Sequence, residues 1–110
     1  MPTLVLVRHA QAAYNYPDRA RPLTEAGRDQ AARLGATLAR EVGAFNVAVS
    51  SDAQRARETF AAILARVDTD DSWHDRSIYD GGEEEIIELA RTFTGETGLI
   101  VGHEPVISYA

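Results

Sequence analysis

Cysteine is absent from the 110 residues, and so is lysine. The first absence excludes disulfide frameworks, thiolate zinc sites and cysteine nucleophiles together. The second makes all eleven formally basic residues arginines, and it excludes a lysine Schiff base or the lysine of a phosphate-binding P-loop. Seventeen acidic residues leave a net charge of −6, which argues against generic binding to nucleic acid or anionic membranes, both of which need a basic face. No run approaches the roughly 18 apolar residues of a membrane span. The start, Met1-Pro2-Thr3 followed by Leu4-Val5-Leu6-Val7, lacks the charged n-region and long apolar core of a signal peptide. A cytoplasmic protein is the expectation. There is no internal repeat or low-complexity tract. With 45% apolar and 25% charged residues, the composition suits one compact domain with a modest core.

Thr3–Val7 is a short β-branched apolar run, the pattern of a strand covered on both faces. Ala10 to Pro22 contains Asn15, Pro17, Asp18 and Pro22 and reads as loop. Thr24 is placed to cap a helix whose apolar positions Ala31, Leu34, Leu38 and Val42 keep helical spacing, and Gly43 stops it. Phe45–Val49 is a second strand. Ser51 through Gln54 fits a capping box, opening a helix with the stripe Ala56, Phe60, Ile63, Leu64 and Val67. Asp68–Arg76 reads as polar loop and Ser77–Tyr79 as a short strand. A helix from about Glu83 to Phe93 follows Gly81-Gly82, then a strand at Gly98–Val101, and Pro105 suits the first position of another helix. Strands alternating with helices imply parallel βαβ crossovers. The expected architecture is a three-layer α/β sandwich, a mainly parallel central sheet flanked by helices. The chain stops at Ala110, soon after Pro105, so a C-terminal helix and strand of the single domain 1–110 are expected to be missing.

Parallel α/β sheets bind ligands beyond the carboxyl ends of their strands. The first strand runs into Arg8-His9, the second into Ser50-Ser51 with Arg55 just inside the next helix, and the last into Gly102-His103. Two histidines and two arginines thus converge on one prospective cleft. Such a set at a helix N-terminus is an anion site, and the planar guanidinium fork matches phosphate oxygens in pairs.

These segments also resemble a family. Leu6-Val7-Arg8-His9-Ala10 is similar to the Arg-His-Gly signature of the histidine phosphatase (phosphoglycerate mutase-like) superfamily. Arg21-Pro22-Leu23-Thr24-Glu25-Ala26-Gly27 resembles its next block, Ser51–Thr59 its Ser-Pro-x-x-Arg-Ala-x-x-Thr block, and Val101-Gly102-His103-Glu104-Pro105 the block with its second histidine. Length, Arg21-Pro22-Leu23-Thr24 and Ile78-Tyr79-Asp80 most resemble the SixA-type phosphohistidine phosphatases. Ala10 departs from the usual glycine, which requires a backbone there without positive φ. Asp52 replaces proline.

The resemblance implies that His9 is the nucleophile and carries a phosphohistidine intermediate, that Arg8 and Arg55 clamp the phosphoryl oxygens, and that His103 donates a hydrogen bond to the phosphoryl group. Arg21 matches a substrate-binding position near the pocket. Neither a metal nor another cofactor enters this scheme, because arginine and histidine supply the positive charge. Asp80 and Glu83, with Glu84, are the candidates for a general acid, and none lies in a motif. A missing strong acid suits a phosphohistidine substrate, whose protonated ring leaves as neutral imidazole. The implied partner is a phosphorylated protein or a small phosphorylated substrate. A broad phosphomonoesterase, a mutase-like relative and an inactive phosphate-binding fragment are the alternatives.

Other residues have plainer readings. His74 lies in a polar stretch and reads as solvated; Arg57 points away from Arg55. Arg55 itself has a competing reading as an ion-pair partner of Glu58 at i+3. Ser51 reads as a cap and not as a nucleophile, since no His-Asp companion is spaced around it. Asp68, Asp70 and Asp71 lack the glycine and glutamate of a calcium loop and read as solvated. Tyr14 and Tyr16 either line the substrate entrance or pack at the surface, and Trp73 is core or rim.

Overall fold

The computed structural model describes residues 3–14, 16–76, 78 and 97–102. Within them the order is β1 (Thr3–Arg8), a 3-10 turn (Asp18–Ala20), α1 (Glu25–Glu41), β2 (Ala44–Ser51), α2 (Gln54–Leu64), β3 (Asp68–Asp75) and β4 (Thr97–Gly102). The four strands form one sheet in the order β1-β4-β2-β3, and every pairing is parallel. The last of the described strands is thus inserted between the first two. Its register sets Arg8 opposite Gly102 and Ser50 opposite Val101, so the three strand ends that carry the motifs finish together.

Alternation along the strands divides two apolar layers. Val5 and Val7 of β1 and Leu99 and Val101 of β4 face a cluster with Phe60 and Ile63 of α2 and Leu38 of α1. Leu4, Leu6 and Ile100 face the opposite way, toward Val49, Ile78 and Trp73. Strands covered on both faces are apolar throughout, which is why their sequences lack a polar period. The two described helices pack against each other on one face. Gly35 permits this contact: a Cβ there would lie 2.9 Å from the Ala62 carbonyl oxygen. The expected helix at 83–93 and the segment after Gly102 lie outside the described residues. No helix among the described residues is long and apolar enough to cross a membrane.

Thr24 caps α1 as its position predicts, its hydroxyl accepting from the Gly27 amide at 3.0 Å. Gly43 ends the helix at φ +84°, and its amide reaches the Leu38 carbonyl. The start of α2 differs from expectation. β2 continues through Ser51, so the N-cap is Ala53, and the Ser51 hydroxyl accepts from the Ala53 amide in the turn between the elements.

The stretch read as polar loop at 68–76 is also corrected, because β3 occupies Asp68–Asp75 and pairs with β2 along its length. An edge strand tolerates, and uses, exposed charge that discourages further pairing. Its polarity therefore mimics a loop when read locally. His74 on this strand is not merely solvated. Its Nδ1 lies 2.6 Å from the buried Ser50 hydroxyl, and its ring meets Phe60 edge-on at 5.6 Å.

Candidate active site

β1 delivers Arg8 and His9 to the carboxyl edge of the sheet. The His9 amide donates to the Gly102 carbonyl at 2.9 Å, prolonging the β1–β4 ladder by one bond and fixing where the imidazole leaves the sheet. The next amide, of Ala10, donates to the Thr59 hydroxyl at 3.0 Å, and that hydroxyl donates to the Arg55 carbonyl at 2.9 Å. Thr59 is fully buried. It therefore couples the backbone after His9 to the helix turn that carries Arg55. No described non-glycine residue has positive φ, so alanine at position 10 is accommodated without strain.

His9 is held at both ring nitrogens. Nδ1 lies 2.7 Å from the Ala10 carbonyl, which can only accept, so Nδ1 bears the proton. Arg55 Nε–H, which can only donate, points at Nε2 from 3.3 Å. The two neighbours therefore select one tautomer, neutral imidazole with its lone pair on Nε2. Burial lowers the His9 pKa below the ordinary histidine value. The Ala10 bond opposes this, while the positive charges of Arg55, Arg8 and Arg21 reinforce it.

Arg55 is buried and leaves α2 in its first turn. Its guanidinium meets Asp18 twice, Nη1 donating to the carbonyl at 2.6 Å and Nη2 to the carboxylate at 3.3 Å. It does not pair with Glu58, which instead accepts from the Leu23 amide and from the Gln54 side chain. Arg21 donates through Nε to the Ala13 carbonyl at 2.7 Å and through Nη1 to the other oxygen of Asp18 at 3.4 Å. The guanidinium also lies over the Tyr14 ring, 4.8 Å from its centre. Arg19 pairs with Asp52 and ties the 3-10 turn to the entry of α2.

These groups surround an open cleft of about 490 Å³. Arg8, His9, Arg21 and Arg55, drawn from β1, the loop after it and α2, all line it, together with Tyr14 and Gln30. The structure thus brings four of the residues singled out in the sequence into one place. His103, Asp80, Glu83 and Glu84 lie outside the described residues. Arg57 is exposed on α2. Asp18, Thr59 and Gln30 were not singled out as site residues. Asp18 stands three residues before Arg21, and that spacing was the one local signal for it. Thr59 acts across 49 residues of sequence, and its one signal is its place as the threonine that closes the family-like block at 51–59; Gln30, accepting from the Gln11 amide at 3.0 Å across 19 residues, gives no local sign.

Chemically, the cleft offers an imidazole lone pair among three guanidinium groups in a protein of net charge −6. Such a setting favours a compact dianion beside a nucleophilic nitrogen. The comparisons with known proteins agree with it. Residues 4–98 match the family model of the histidine phosphatase superfamily (branch 1). A 2,3-bisphosphoglycerate-dependent phosphoglycerate mutase of Xanthobacter autotrophicus is 42% identical over 69 residues, which cover 58% of this chain and 33% of the mutase. Among solved structures, the protein assigned as phosphohistidine phosphatase SixA from Nakamurella multipartitia superposes with a TM-score of 0.82 at 38% identity, over 96% of this chain and 61% of that one. The protein likewise assigned as phosphohistidine phosphatase SixA from Agrobacterium tumefaciens gives 0.83 at 28% identity, over 96% and 71%. The chain therefore spans a third of the mutase and under two thirds of the Nakamurella protein. With a match over nearly its whole length, this chain belongs to the histidine phosphatase superfamily.

Proposed function

We propose that the protein is a phosphatase that moves a phosphoryl group first to His9 and then to water, with phosphohistidine as its substrate. The observation that carries this reading is the tautomer of His9, with its proton held by the Ala10 carbonyl and its Nε2 lone pair beside Arg55. Nε2 attacks phosphorus and the N–P bond forms. The bond from phosphorus to the substrate's ring nitrogen breaks, its electron pair returns to that nitrogen, and the protonated ring leaves as neutral imidazole. Water then attacks the phosphorylated His9, the N–P bond breaks, and the lone pair returns to Nε2 as dihydrogen phosphate departs. Phosphoryl transfer asks for positioning and charge stabilisation more than for covalent help. Arg8, Arg21 and Arg55 supply that charge at the nonbridging oxygens, and no step calls on a metal. His103, by family resemblance, adds a hydrogen bond to the phosphoryl group. Likeness to the SixA structures supports phosphohistidine as the substrate.

The test is turnover of phosphohistidine, para-nitrophenyl phosphate and an alkyl phosphate by the chain and by His9→Ala. Phosphohistidine is expected to be hydrolysed fastest, and the substitution to abolish release together with an acid-labile phosphoryl label on the protein. Undiminished release by His9→Ala, or equal rates on phosphohistidine and alkyl phosphate, would reject the reading. The mutase relative favours a second one, transfer between phosphoglycerates. Interconversion of 2- and 3-phosphoglycerate faster than phosphate release would select it.

A further inference from the structure

The cleft is lined by arginine, histidine, glutamine and alanine, with one exception. Tyr14 is the one tyrosine, phenylalanine or tryptophan among its described lining residues. It is 84% exposed, the most exposed large apolar side chain of the described residues, and Tyr16, 53% exposed, follows on the same loop. Isolated exposed aromatics are ordinary on protein surfaces. This one is not loosely placed, because the Arg21 guanidinium lies 4.8 Å from its ring centre. Arg21 is itself held by the Ala13 carbonyl and the Asp18 carboxylate. A fixed cation thus backs the ring, while most of its surface faces solvent at the cleft that His9 also lines.

We infer that Tyr14 is a specificity-determining residue whose ring receives a planar ring attached to the phosphoryl group as the leaving group. The inference rests on the phosphatase reading and adds to it which part of the substrate is recognised apart from the phosphate. The arginines grip the anion without regard to what it is bonded to. Among the described lining residues, Tyr14 alone offers a polarisable aromatic face on which a flat leaving group stacks better than an alkyl one. The imidazole of phosphohistidine fits such a surface because its planar shape allows stacking on the exposed face of the ring.

Binding of two non-hydrolysable anions, phenylphosphonate and methylphosphonate, tests this without requiring turnover. The wild-type chain is expected to bind phenylphosphonate the more tightly. In Tyr14→Ala that preference should fall by about 3- to 10-fold, the range of an aromatic ring pair, while the methylphosphonate Kd stays within about twofold. Tyr14→Phe, which keeps the ring, should restore the preference. Equal weakening of both ligands in Tyr14→Ala would reduce Tyr14 to a support for Arg21, and an unchanged preference would remove it from recognition; either result overturns the inference. Failure of the phosphatase reading shows separately, as phosphate release that persists in His9→Ala.

Discussion

At the scale of the residue, the site depends on who donates and who accepts. A histidine nucleophile needs a lone pair at the attacking nitrogen, and a carbonyl at Nδ1 is sufficient to secure it. Arg55 adds a donor at Nε2 and at the same time rests against Asp18, so the cation beside the nucleophile is placed by an acidic neighbour. Asp18 has a second effect. Its carboxylate bridges Arg55 and Arg21 and offsets part of the positive charge that an incoming phosphate meets. Asp18→Asn keeps an acceptor oxygen and removes the charge. Inorganic phosphate should then compete more tightly, by only about two- to fivefold because the carboxylate is more than half exposed. A competitive inhibition constant for phosphate that stays constant or rises would show that Asp18 acts on the site by placement alone.

At the scale of the element, the loop after β1 is shaped by what it packs against. Its Ala13 amide reaches Pro22, Ala12 pairs with Leu23 across a short antiparallel bridge, and the Thr24 amide reaches the Gln11 carbonyl. That carbonyl lies so close to α1 that a Cβ on Gly27 would sit 2.0 Å from its oxygen. Glycine is needed at position 27 for close approach and not for an unusual φ. Gly27→Ala should therefore cost about 1–3 kcal/mol of stability, the usual range for forcing one extra group into a packed contact. It should also lower activity by displacing the loop that carries Arg21. Chemical denaturation and phosphate release measured on the same variant check both, and a stability equal to that of wild type would show that the loop moves aside freely.

At the scale of the whole molecule, two histidines link folding to pH. His9 and His74 both titrate below the ordinary histidine value, each chiefly because burial penalises the charged form. The unfolded chain takes up these protons near pH 6.5, before the folded one does. Their contribution to stability is thus complete above that pH. It declines as pH falls from 6.5 toward the depressed folded values, then changes no further. Urea midpoints measured from pH 7.5 to 5 should fall on acidification, and the decline should be shallower in His74→Gln. A decline of equal slope in that variant would remove His74 from the linkage. The same burial keeps His9 neutral at pH 7, as attack on phosphorus requires.

How much of this was legible in the residues follows from the range of the interactions. Thr24 and Gly43 signal the ends of α1 through neighbours three to five positions away, and β1, β2 and β4 reveal themselves as apolar runs. Arg8, His9 and Arg55 are legible because each stands where a strand ends or a helix begins, and such ends lie on one edge of a parallel sheet; Arg21 is legible only through its resemblance to the family block at 21–27. The sequence alone thus determined the layered α/β architecture and four of the residues that line the cleft. Only tertiary structure decided that Asp68–Asp75 is a strand, since an edge strand gains its partner from β2 and not from its own period. Only tertiary structure paired Ser50 with His74, gave Arg55 to Asp18 in place of Glu58, and fixed the His9 tautomer. In each of these cases a polar group had several possible partners of similar strength. The packing of the chain selected one of them by distance and burial, which no local pattern encodes.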